Sequence, residues 1–114
     1  MKKITKTTVK SIIKNGGATI SRHGVRVTMR TGYQVSKCDL HIIPVEQLDK
    51  YILINAMQQL TSKSEYVGVW IDNGSAYIDI SCRIATKSKA MQVGRELNQL
   101  SILRWADMEC LAVK

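Results

Sequence analysis

The stretch Tyr66-Val-Gly-Val-Trp-Ile-Asp-Asn-Gly-Ser-Ala-Tyr-Ile-Asp-Ile-Ser-Cys-Arg-Ile84 decides the fold. Apolar and polar side chains alternate on both sides of Asn73-Gly74. Asn-Gly between two alternating runs is the strongest short-range hairpin signal, because both residues accept the positive φ of a tight type I′ turn. With that pair as the turn, Ile71 faces Ala76, Val69 faces Ile78 and Val67 faces Ile80. These six form one apolar face, which Cys82 and Ile84 extend. The other face carries Tyr66, Gly68, Trp70, Asp72, Tyr77, Asp79, Ser81 and Arg83, with Trp70 directly across from Tyr77. One face is therefore assigned to a core and the other to solvent or a partner.

Helical patterns flank the hairpin. Downstream, Thr86 is placed to cap a helix over residues 87–98, with Ala90, Val93, Gly94 and Leu97 on its inner stripe. A mid-helix glycine costs about 1 kcal/mol, so Gly94 predicts a close approach to the sheet. Upstream, Pro44 suits the first position of a helix that runs to about Ser62. Leu48, Tyr51, Ile52, Leu53, Ile54, Met57 and Leu60 give that helix a broad apolar stripe. Residues 33–43 read as extended, and their broken alternation predicts a bulge or bend near Lys37. Residues 5–14 read as a helix with Val9, Ile12 and Ile13 inward, stopped by Asn15-Gly16-Gly17. Residues 18–30 read as a hairpin turning at His23-Gly24, with Ile20 opposite Val27 and Ala18 opposite Met29. The end, residues 101–113, reads as strand, turn and strand around Ala106-Asp107. This order predicts one α+β domain over residues 1–114: an antiparallel sheet with about three helices packed on one face.

Composition agrees. The 114 residues are 45% hydrophobic and 23% charged, proportions that exclude a disordered tail or a collagen-like repeat. No apolar run approaches the ~18 residues of a membrane span. The basic start, Met1 to Lys6, is not followed by the apolar core of a signal peptide, so a soluble cytoplasmic protein is expected. Cys38, Cys82 and Cys110 are odd in number and far apart, which predicts free thiols, buried or half-buried.

The charge is unevenly placed. The net charge is +8, and residues 1–37 hold nine basic side chains (Lys2, Lys3, Lys6, Lys10, Lys14, Arg22, Arg26, Arg30 and Lys37) with no Asp or Glu. Lys6, Lys10 and Lys14 recur every four residues and stack on one helix face. The expected register of the 18–30 hairpin puts Arg26 and Arg30 together on its polar face. Two readings compete for this cluster: a solvated lysine face, or a docking surface for DNA, RNA or an acidic protein. Trp70 and Tyr77 invite a similar choice. They are either an interface hot spot or part of a second small core covered by Trp105 or the first helix.

Catalytic chemistry has little support. Cys82, His23, His41 and Asp79 are the ingredients of a thiol site, but the hairpin puts Cys82 and Asp79 on opposite faces. Asp39 and His41 are too few to hold zinc, and Gly16-Gly17 ends a helix instead of opening one over a phosphate. No enzyme activity, metal or cofactor is expected. No zinc finger, ribonucleoprotein strand or helix-turn-helix is present either.

The Gly68-Val-Trp70-Ile-Asp72-Asn-Gly74 segment followed by Tyr77-Ile-Asp79-Ile-Ser81 resembles small uncharacterised proteins encoded by bacteriophages and bacterial mobile elements. Ala90, Gly94, Arg95 and Gln99, the Asn15–Thr19 segment and the Gly32–Ser36 segment fit the same group; Ala106-Asp107-Met108 departs from its usual acidic or glycine turn. The resemblance implies a setting and no activity. Small phage proteins often act by stoichiometric binding to a host machine, CRISPR effectors included. The expectation is thus a non-enzymatic protein that blocks a host nucleoprotein machine by occlusion, an anti-CRISPR inhibitor in its narrower form. Its contacts would be Lys6, Lys10, Lys14, Arg26 and Arg30, with Trp70 and Tyr77 secondary. The alternative is an independent DNA- or RNA-binding accessory protein.

Overall fold

A computed structural model describes residues 4–113. The central hairpin forms in the expected register. Strands β3 (Glu65–Asp72) and β4 (Ser75–Ile84) pair Ile71 with Ala76, Val69 with Ile78, Val67 with Ile80 and Trp70 with Tyr77. Asn73 and Gly74 take φ values of 48° and 78°, as the tight turn requires. Around this pair lie α1 (Lys6–Asn15), β1 (Gly17–Ile20), β2 (Tyr33–Pro44), α2 (Lys50–Gln58), α3 (Lys87–Glu96), β5 (Ser101–Arg104) and β6 (Glu109–Ala112). The six strands make one curled antiparallel sheet in the order β1-β3-β4-β2-β5-β6, and the fold is α+β.

The inward residues of β4 explain how three helices share one face. Ala76 and Ile78, with Val67 and Val69 of β3 and Ile20 of β1, are buried with Val9 and Ile12 of α1 and Leu53 and Ala56 of α2. Further along the same face, Cys82 and Ile84 pack with Val35, Ile102 and Val113 and with Ala90 of α3. Gly94 is where α3 meets β5: a Cβ there would stand 3.1 Å from both Ile102 Cγ2 and Val113 Cγ2. The close approach expected of this glycine is present. Thr86 caps α3 as expected, its side chain accepting from the Lys89 amide at 3.4 Å.

Three local expectations are corrected. Pro44 does not open a helix; it ends β2, and a single 3-10 turn (Val45–Gln47) follows. Helix α2 starts later, where Asp49 Oδ1 accepts from the Ile52 amide at 3.0 Å and caps it. Starting there turns Tyr51 outward, 64% exposed, although Leu48 and Leu53 are buried. The hairpin over residues 18–30 is also different. Its turn is wider, with the Ser21 amide donating to Val25 O at 2.9 Å, and Ile20 bridges Arg26 instead of Val27. This one-residue shift reverses which side chains share a face. The second arm forms no strand, and β1 spends its main ladder on β3. The predicted irregularity near Lys37 is present as register shifts between Ser36 and Cys38 and between Asp39 and His41. Finally, of the three free thiols only Cys82 is half-buried; Cys38 and Cys110 are exposed.

Candidate partner-binding surface

Helix α1 is built to present its lysines. Thr5 caps it, accepting from the Thr8 amide while Thr8 returns a bond to the Thr5 amide, and Gly16 closes it in the left-handed region at φ 81°. Val9 and Ile12 are buried, and Lys6, Lys10 and Lys14 are exposed in a row along one flank of the helix. Three successive i, i+4 lysines span ~12 Å of helix. Arg26 joins them. Its Nη1 donates to Ser11 Oγ at 2.7 Å, so the guanidinium lies against α1. The shifted register of the 18–30 segment makes this contact, where sequence placed Arg26 on the polar sheet face with Arg30. Arg30 is exposed on the same connecting segment.

None of these five side chains pairs with a carboxylate among the described residues. The two ion pairs among the described residues are Lys37 with Glu65 and Arg104 with Asp107. Lys37 thus leaves the basic group of the first third. Its ammonium donates to the nearly buried Glu65, which also accepts from the Thr61 amide and hydroxyl. The bond from Lys37, then those from Thr61, hold the Glu65 carboxyl at about 2. Lys2 and Lys3 lie outside the described residues. One cation comes from elsewhere: Lys50 of α2 borders the same face as Lys6 and Lys10, its ammonium 5.1 Å from the centre of the Tyr51 ring. Glu46 and Asp49 border it too, and Asp49 is engaged in its cap. Nothing in the spacing of the first 37 residues could have signalled Lys50.

The second surface is the sheet face that carries no helix. Trp70 and Tyr77 sit side by side on it, 52% and 39% exposed, so neither Trp105 nor α1 buries them. Trp70 borders a groove of about 620 Å³, and Tyr77 lies beside Trp70 outside it. Its floor is polar and internally bonded: Thr19 Oγ1 donates to Gln34 Oε1 at 3.1 Å, and Gln34 Nε2 donates to Ser81 Oγ at 2.7 Å. Curling of the sheet raises the segment 26–28 on one side and residues from β5 and β6, with Trp105, on the other. The pleat of the hairpin predicted the floor. It carried no information about the walls, which come from distant segments.

Asp79 is part of that floor. Its Oδ1 packs against the Cα of Gly68, where any Cβ would overlap it, and has no hydrogen-bond partner among the described residues. Burial pushes the Asp79 carboxyl up to about 6; nearby Asp39 adds to the effect, and Ser36 and the Gly68 amide oppose it. Cys82 faces the other way, into the core, and its thiol is pushed up by burial. The two candidates for a thiol site are separated by the sheet. No group of three His, Cys, Asp or Glu residues that could hold a metal ion occurs among the described residues, and no helix there is long and apolar enough to cross a membrane.

The chain matches no protein-family model, no curated protein and no solved structure.

Proposed function

We propose that this protein is a stoichiometric binding protein, of the kind phages and mobile elements encode, that docks its basic face on an anionic surface of a host nucleoprotein machine and blocks it by occlusion. The observation that carries the reading is the unneutralised cationic surface of α1. Lys6, Lys10 and Lys14 stand on one exposed helix face, Arg26 is tied to that helix through Ser11, and no carboxylate pairs with any of them among the described residues. Holding like charges together opposes folding through self-repulsion, and a partner that releases counterions from its own surface repays that cost. Occlusion needs no turnover and no cofactor. CRISPR effectors are one class of machine that meets the description.

The experiment is replacement of Lys6, Lys10, Lys14 and Arg26 by Gln together, with retention on heparin and inhibition of a purified host effector as readouts. Loss of both supports the reading. Full inhibition by the quadruple variant overturns it. Heparin or duplex binding with no effect on any protein machine favours the independent nucleic-acid accessory protein instead.

A further inference from the structure

Arg26 joins helix α1 to the aromatic groove: it is bonded to Ser11 on α1 and stands in the groove wall. Asn15, whose Nδ2 donates to the same Ser11 Oγ at 3.4 Å, lines the groove with Gly16 and Gly17 at the end of α1. Moving along α1 from Lys6 to Lys14 therefore leads to Trp70, because Gly17 is the register partner of Trp70 on β1.

The surroundings of Trp70 leave its ring free to stack. On the β1 side its neighbour is Gly17, where a Cβ would overlap Val69 O, so bare backbone is obligatory there. On the β4 side its neighbour is Tyr77, also exposed. Two residues back along β3, on the same face, comes Gly68, again without a side chain. A row of cations leading onto exposed aromatics, with bare backbone beside them, is the arrangement that holds single-stranded nucleic acid: phosphates on the cations, unpaired bases on the rings.

We infer that the anionic partner is a single strand of DNA or RNA whose backbone follows Lys6, Lys10, Lys14 and Arg26 and whose bases stack on Trp70 and Tyr77. The inference rests on the reading above and narrows it. A duplex keeps its bases stacked on one another and offers nothing to Trp70. An acidic protein segment would use the lysines, but it carries no regular series of flat unpaired rings to stack on Trp70 and Tyr77. Within the floor, Thr19, Gln34 and Ser81 spend part of their hydrogen-bonding capacity on one another. Stacking on a ring accepts any base, so binding is tolerant of sequence.

The test is fluorescence anisotropy of the full chain with labelled oligonucleotides of about 12 nucleotides, single-stranded and duplex, of mixed sequence and at low salt. The variants are Trp70→Ala, Trp70→Phe and the Gln quadruple. The expected result is single-strand preference, a loss of about tenfold or more for Trp70→Ala on single strands alone, and substantial recovery in Trp70→Phe. Trp70 is half exposed, so its replacement leaves the core intact. Equal binding of duplex, or lysine-dependent binding that Trp70→Ala does not change, overturns the inference and leaves the basic-face reading standing. Failure to bind single strands, duplex and heparin alike overturns both.

Discussion

Replacing Asp79 by Asn changes how stability depends on pH. The folded chain holds this carboxyl at about 6 against an ordinary value of 3.8, mainly by burying it. A carboxyl that binds its proton more tightly when folded favours the folded state at low pH, and that contribution is lost as pH rises through the folded value. A difference of roughly 2 units corresponds to ~3 kcal/mol in all, of which ~2 kcal/mol falls between about pH 4.5 and 7.5. Asn has nearly the same shape and no charge to bury. The stability of Asp79→Asn minus that of the unaltered protein therefore rises by ~2 kcal/mol across that interval, and above about pH 7 the variant carries no penalty for a buried charge. Urea unfolding at the two ends of the interval, on both proteins, measures it. A difference that stays flat with pH would refute the reasoning, since Asp79 would then be as solvated in the folded chain as in the unfolded one.

Two further predictions follow from the same packing. Gly68→Ala drives a methyl group into the space of Asp79 Oδ1 and costs roughly 1–3 kcal/mol in thermal or urea unfolding; by displacing the carboxylate it also flattens the pH dependence just described. Lys37→Met removes the ammonium from nearly buried Glu65, and the cost at neutral pH is about 1–2 kcal/mol, limited by the partial exposure of Lys37. Glu65 titrates at about 2 when folded against 4.5 ordinarily, so its stabilisation is present above 4.5 and lost as pH falls through 2; acid unfolding of the two proteins should converge in that range.

How much of this was legible in the sequence depends on the range of the interactions. The Asn73-Gly74 hairpin, the Thr86 cap and the Gly94 approach were readable because each is set by residues close in the chain or by a single backbone requirement. The start of α2 was missed because two local signals competed: Pro44 suits a helix start, but Asp49 supplies the bond that satisfies the Ile52 amide. The register of the 18–30 segment was missed because its outcome is not local. With β1 committed to β3 and the turn widened at Ser21, Arg26 is left to find Ser11 across a separation of 15 residues. The basic group itself was visible as a run of charge; the pleat put Trp70 and Tyr77 on the face away from the main core but left open whether another segment covers them. That Lys37 is neutralised, that Lys50 joins the face and that the sheet curls into a groove depend on segments brought together only by the finished fold.

If the α1 face meets a polyanion through specific cations, binding weakens with salt by an amount those cations set. Each of the four cations that neutralises a phosphate on a single strand contributes ~0.7 to the slope of log affinity against log salt, so together they supply ~3 and a fall of roughly 50-fold between about 50 and 200 mM. Replacing Lys6, Lys10, Lys14 and Arg26 by Gln is expected to flatten the slope by about that amount. A quadruple variant that keeps both the affinity and the slope of the unaltered protein would contradict it.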